Sequence, residues 1–220
     1  MRTAAVLPVK SFPRAKQRLG VALGGDDRRE LAAAMVRDVL AALAAVRELD
    51  RVIVVTAEPL AASAAGEIGA VVVEDPEEAG QSAAARLGID AAVADEAERV
   101  LLVPGDCPAL DPAEVSALLA RPAERPSVVI VPDRHGSGTN ALLLAPPDAM
   151  EPSFGTGSFA RHAARAAAAG ATVTVAELPS LGLDVDTPGD LVALRTALSA
   201  GRGGAERTRA VLERLVAVGA

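Results

Sequence analysis

Residues 99–110, RVLLVPGDCPAL, constrain this chain more than any other stretch. Val100–Val103 is a short, uninterrupted apolar run, the pattern of a strand buried on both faces of a parallel sheet. It stops at Pro104-Gly105, and the first side chain beyond the break is the carboxylate of Asp106. In an open α/β sheet the ligand crevice lies beyond the carboxyl ends of the strands, so Asp106 is placed to hold a metal or a substrate. The competing role, capping the next helix, falls more naturally to Asp111, which directly precedes Pro112.

Strand-like runs recur at 4–9, 51–56, 70–73, 127–131, 140–144 and 172–176, separated by alanine-rich helical segments. The 220 residues suffice for one large α/β domain. The segment 200–204, AGRGG, then reads as a linker to a short amphipathic helix from Glu206, dividing the chain into residues 1–199 and a tail, 200–220. A net charge of −7 argues against general nucleic-acid binding, which needs a basic face. Cys107 is the single cysteine, so no internal disulfide can form, and it suits a reducing cytoplasm. Met1 leads directly into a strand, with no signal-peptide pattern. No apolar stretch approaches the roughly 18 residues needed to span a membrane. A cytoplasmic protein is expected.

The rare residues mark the chemistry. Lysine occurs only at Lys10 and Lys16, asparagine only at Asn140, and histidine only at His135 and His162, in a chain otherwise rich in Ala, Arg, Gly and Pro. Both lysines lie in KSFPRAKQR, residues 10–18, with Arg14 and Arg18, directly after the first strand. Compact ammonium groups and forked guanidinium donors at a sheet edge suit phosphate. Neither the GxxxxGK[ST] of a P-loop nor the GxGxxG of a dinucleotide site is present.

Asp26 or Asp27 is expected to open the first long helix, with Glu30 completing a capping box after Asp27. Gly80-Gln81-Ser82 opens another, a place to hold a nucleotide base or phosphate. In residues 132–140, PDRHGSGTN, Gly136 and Gly138 loosen the backbone to wrap an anion, with Ser137 and Thr139 as hydroxyl donors. Residues 153–162, SFGTGSFARH, bring Ser158 to a helix N-terminus, an anion site. His162, one turn inside, is equally compatible with packing. Asp184 and Asp186 stand two apart on an extended segment, so both carboxylates face one way, an arrangement suited to Mg²⁺ carrying phosphates. Thr187-Pro188-Gly189-Asp190 reads as a helix start.

Five motifs in this order, PVKSFPRAKQRL (8–19), PGDCPAL (104–110), VPDRHGSGTNALLL (131–144), FGTGSFARH (154–162) and LDVDTPGDL (183–191), make the chain similar to one family. It resembles the 2-phospho-L-lactate or phosphoenolpyruvate guanylyltransferases of deazaflavin coenzyme F(420) biosynthesis. The resemblance covers about residues 1–199, with 200–220 outside it. It implies a three-layer α/β/α nucleotidyltransferase fold, glycosyltransferase-A-like, with a mostly parallel central sheet. The implied reaction joins GTP to a phosphorylated three-carbon acid and releases pyrophosphate, with Mg²⁺ as cofactor. Carried over by residue, the metal ligands are Asp106, Asp184 and Asp186, and the acid contacts are Thr139, Gly155 and Ser158. Lys10, Lys16 and Arg18 fall where related nucleotidyltransferases hold nucleotide phosphates, and Lys16 and Asp106 become the catalytic pair. Where the family usually has Gly-Leu-Asn, this chain has Gly80-Gln81-Ser82. The resemblance further implies no nucleic-acid or membrane partner, a possible homodimer, and hand-over of the product to the next enzyme of the pathway.

Overall fold

The structure, a computed structural model, describes residues 1–14, 16–122, 124–201 and 204–218, with the side chains of Arg14 and of residues 216–218 also outside the description. Seven strands form one sheet: β1 (Thr3–Val9), β2 (Arg51–Thr56), β3 (Val71–Glu74), β4 (Arg99–Leu102), β5 (Ser127–Pro132), β6 (Thr139–Ala145) and β7 (Thr172–Val175). They stand in the order β3-β2-β1-β4-β6-β5-β7. All pairings are parallel except those of β6, which runs against both β4 and β5.

Strand alternation sorts the core onto the two faces of the sheet. Ala5, Leu7 and Val9 of β1, with Leu101 and Val103, face α1 (Gly25–Ala44), α2 (Pro59–Glu67) and α4 (Pro112–Leu119). Ala4, Val6, Val100 and Leu102 face α3 (Gln81–Ala94) and α5 (Ser158–Ala168). The continuous apolar run of β4 is thereby explained: both of its faces are covered. On α3, Gly88 lies directly on the sheet, since a Cβ there would come within 2.2 Å of a Val6 methyl. The pairing of β5 and β6 is interrupted once. Val131 stands opposite Ala141 but Pro132 opposite Thr139, leaving Asn140 as an extra residue in β6, a β-bulge.

Two predicted details change. The first helix is capped by Gly24, with no side-chain bond, and Asp26 and Asp27 sit inside its first turn. The chain enters the helix earlier than expected, so these carboxylates favour the dipole instead of capping. The C-terminal segment is also more than an appendage. Leu191, Leu194 and Leu198 of α6 (Pro188–Ser199) and Val211 and Leu212 of α7 (Glu206–Val218) share a cluster with Leu31 and Met35 of α1. The buried Asp38 carboxylate of α1 accepts hydrogen bonds from the backbone N–H groups of Arg207 (3.2 Å) and Thr208 (2.8 Å), satisfying the start of α7. Arg202 and Gly203 of the expected linker lie outside the described residues. Among the described residues, no helix is long and apolar enough to cross a membrane.

Candidate active site

The carboxyl ends of β1, β4 and β5 and the start of the reversed β6 meet at one edge of the sheet. There they surround an open cavity of about 750 Å³. Lys10, Lys16, Arg18, Gly80, Gln81, Asp106, Thr139, Gly155, Ser158, Asp184 and Asp186 all line it. Ser82 does not: its hydroxyl oxygen accepts from the Phe154 N–H at 2.9 Å and ties α3 to the loop before α5. The Arg14 side chain lies outside the described residues.

The basic loop is held at its start by two consecutive residues. Phe12 is buried in the core, and its N–H donates to Glu58 at 2.9 Å. Ser11 donates through both N–H and hydroxyl to Glu78. The chain then turns through a left-handed conformation at Lys16 (φ +55°), uncommon for a residue with a Cβ. That turn carries its side chain inward. Only 7% of the Lys16 side chain is exposed, and Nζ donates to Asp106 at 2.5 Å and Asp186 at 3.1 Å. Burial opposes its charge, but the Asp106 and Asp186 carboxylates outweigh burial and raise the pKa above the ordinary lysine value.

The two carboxylate segments are joined directly, because the Val185 N–H donates to the Asp106 carbonyl at 3.2 Å. Asp184 faces a different partner from Asp186. Asn140 Nδ2 donates to Asp184 at 3.2 Å and to the Leu181 carbonyl at 2.7 Å. Burial first, and the nearby Asp106 charge second, push the Asp184 pKa up. Asp190 anchors the same stretch from behind. It accepts from the N–H groups of Asp186 (3.0 Å) and Thr187 (2.6 Å), completes a capping box with Thr187, and pairs with Arg134. Among the described residues, no group of three or more His, Cys, Asp or Glu side chains forms a ready-made metal cage.

The opposite wall corrects one expectation. Part of the 132–140 backbone is not free for an anion, because Asp133 has taken it. Its carboxylate accepts from the His135 (3.1 Å) and Ser137 (3.0 Å) N–H groups, and its carbonyl from Gly136. The glycines instead let the loop fold around that carboxylate, since a Cβ at Gly138 would meet Asp133 at 2.5 Å. The cavity is also lined by the Thr139 hydroxyl and the turn that opens α5, whose Ser158 and Phe159 N–H groups donate to the Gly155 (3.0 Å) and Ser137 (3.2 Å) carbonyls. There Gly155 (φ +105°) and Gly157 (φ +70°) take conformations that disfavour other residues. Arg161 pins this turn by donating to the carbonyls of Ser153 (3.0 Å), Phe154 (3.2 Å) and Thr156.

The sequence alone assigned no task to Asn140, Arg161 or Asp133. Rarity singled out Asn140, as the one asparagine, but not that it holds Asp184. Arginine is too common in this chain for Arg161 to stand out. Cys107 is fully buried against the Leu181 carbonyl, with its thiol pKa raised by burial, and belongs to the core.

A family model described as guanylyl transferase CofC-like matches residues 3–210. The chain belongs to that family. The match runs past residue 199, so α7 begins inside the family pattern and not beyond it. A phosphoenolpyruvate guanylyltransferase of Conexibacter woesei is 53% identical over 218 residues, 98% of this chain and 97% of that one. A 2-phospho-L-lactate guanylyltransferase of Methanothermobacter thermautotrophicus is 39% identical, over 87% of this chain and 83% of that one. Among solved structures, a protein of Desulfovibrio desulfuricans G20 assigned to the nucleotide-diphospho-sugar transferases superposes with a TM-score of 0.75. It is 20% identical and covers 98% of this chain and 97% of that one. The expected nucleotidyltransferase-type α/β sandwich is the fold of this guanylyl transferase.

Proposed function

We propose that this chain transfers GMP from GTP to phosphoenolpyruvate or 2-phospho-L-lactate, the acids named in its relatives. The observation that carries this reading is the division of one cavity into two unlike walls. One holds Lys16 among Asp106, Asp184 and Asp186, with Lys10 and Arg18 nearby; the other presents the Thr139 hydroxyl and the α5 N-terminus with Ser158. The first suits a triphosphate and the second a small dianion that also carries a carboxylate.

A phosphate oxygen of the acid attacks the α-phosphorus of GTP, the bond to the bridging α–β oxygen breaks, and pyrophosphate leaves. The nucleophile is already ionised, so no general base is required. The protein's part is to bring two anions together and align them. Lys16 supplies a buried, permanently charged donor beside the reacting phosphates. The turn that opens α5, with the Ser158 hydroxyl and the Arg161 guanidinium beside it, binds the acid.

The donor set fits Mg²⁺. Asp184 is a half-buried carboxylate that faces the Asp106 charge, with Asn140 and a backbone N–H donating to it and no cation paired with it among the described residues, a cluster short of positive charge. Mg²⁺ is commonly held by one or two carboxylates plus substrate phosphates, and that requires no protein cage. Asp106, Asp184 and Asp186 would hold it, and it would neutralise the triphosphate. In the proposed pathway step the product passes to an enzyme that consumes the guanosine diphospho-acid.

Incubating the protein with GTP and each acid separately, with and without EDTA, and reading product mass and pyrophosphate tests the proposal. One pyrophosphate per guanosine diphospho-acid, abolished by EDTA and restored by Mg²⁺, is expected. Pyrophosphate release with no acid adduct from phosphoenolpyruvate, 2-phospho-L-lactate or 3-phosphoglycerate would overturn it.

A further inference from the structure

His162 is fully buried on α5, and both ring nitrogens are engaged. Nε2 lies 2.8 Å from the Ser153 backbone N–H. An amide N–H only donates, so Nε2 is the acceptor and carries no proton. In a neutral imidazole the proton then resides on Nδ1, which lies 2.9 Å from Thr139 Oγ1. That contact has one consistent sense: Nδ1–H donates and the Thr139 oxygen accepts. With one lone pair so occupied, the hydroxyl proton of Thr139 turns away from the ring, and Thr139 lines the cavity. The Phe154 ring packs edge-on against the imidazole, with centroids 5.1 Å apart at 74°, and fixes its rotation.

We propose that His162 is a positioning residue that sets the Thr139 hydroxyl as a hydrogen-bond donor to an anionic oxygen of the acid. The inference rests on the acid-binding role given to this wall above. A free threonine hydroxyl can rotate and offer either a proton or a lone pair; an anion needs the proton. The relay from the Ser153 N–H through the ring to Thr139 removes that choice before the ligand arrives, as preorganisation requires. Charging the ring would put a second proton on Nε2, against the Ser153 N–H. Burial first, then the Arg161 and Arg165 charges, hold the His162 pKa down to about 4, so the neutral ring persists at neutral pH.

Two measurements test it. In the unmodified protein, long-range proton–nitrogen NMR on the two histidines reports the tautomer directly. The Nδ1–H form is expected for His162 from pH 5.5 to 8, and an Nε2–H form overturns the proposal. The second is a double-mutant cycle on the Michaelis constant for the acid. Thr139→Val is expected to raise it by about tenfold or more, for loss of a hydrogen bond to a charged partner. His162→Phe keeps ring volume and should raise it by about five- to tenfold, and the double variant should be no worse than Thr139→Val alone. His162→Asn, whose amide can still donate to Thr139, should recover most of the loss. The Michaelis constant for GTP should stay within about twofold throughout, because the nucleotide meets the other wall. Multiplicative effects, equal shifts for both substrates, or an unchanged acid constant in His162→Phe overturn it. Should His162→Phe fail to fold, the tautomer and the His162→Asn cycle decide. If the unmodified enzyme makes no product from any acid, the reaction assigned above fails, whereas a wrong tautomer or a multiplicative cycle in an active enzyme fails this inference alone.

Discussion

The Lys16 ammonium sits between Asp106 and Asp186, 2.5 Å from the first and 3.1 Å from the second, although the three residues are separated by 90 and 170 positions in the chain. A single cation thus clamps the end of β4 to the segment before α6. Lys16→Ala removes that clamp and a charge beside the phosphates, and turnover is expected to fall by orders of magnitude. Lys16→Arg should also be impaired, because a planar fork cannot take the place of a compact ammonium buried between two carboxylates. Steady-state rates with GTP varied check both. A fully active Lys16→Arg variant would show that charge alone matters.

The carboxylates give a prediction with opposite signs for activity and stability. Asp184→Asn removes a half-buried charge that faces Asp106, while Asn140 can still bond the amide. Metal-free thermal melting should therefore be unchanged or higher in Asp184→Asn, although activity drops by orders of magnitude at saturating Mg²⁺. Asp106→Asn should lose activity too, but it strips Lys16 of its closest partner and should melt lower. Differential scanning calorimetry alongside the rate assay separates the two.

On the acid wall, Ser158→Ala should raise the apparent affinity constant for the acid by about ten- to a hundredfold, the worth of a hydrogen bond to a charged group. GTP affinity should barely move. Calorimetric titration of each ligand separately is the check; the reverse pattern would mean the two walls are exchanged.

Much of this was legible in the sequence, and the parts that were not share a cause. Strands and helices announced themselves because burial imposes a period, and the carboxylates because they follow apolar runs at strand ends. The Lys16 loop stood out through residue rarity. What could not be seen was which polar group consumes which. The loop 132–140 has the composition of an anion nest, yet Asp133, inside the same motif, satisfies three of its amides. Likewise His162 in an alanine-rich helix is indistinguishable from packing until Ser153 and Thr139 are seen on either side of it. Partner choice among nearby polar groups depends on ångström-scale geometry, which no spacing rule encodes.

Acid should weaken the fold through His162. Its pKa is about 4 in the folded chain and near 6.5 when unfolded, so between those values the unfolded state binds the extra proton. Stability is full above pH 6.5 and falls as the pH drops towards 4, by on the order of 1–3 kcal/mol from this residue. Denaturant melts at pH 7 and 5 should show a larger difference in the unmodified protein than in His162→Asn.

The tail is expected to matter for stability. Asp38→Ala leaves two amides at the start of α7 without their acceptor and should cost about 1–3 kcal/mol, with kinetic constants for both substrates little changed. Urea unfolding measures it.

The bulge at Asn140 decides which wall of the cavity each of two neighbouring side chains reaches. In an uninterrupted ladder Pro132 would face Asn140, and Thr139 would point to the same side as Ala141, the side of α1 and α4. The extra residue instead exchanges the sides of the two: Thr139 reaches His162 on α5, and Asn140 reaches Leu181 and Asp184 across the sheet. A regular register here would leave the composition of the cavity intact and yet uncouple its halves, because Thr139 and Asn140 would trade sides. The irregularity works as a switchyard at the sheet edge, joining the His162 wall of the cavity to the Asp184 wall through two consecutive residues.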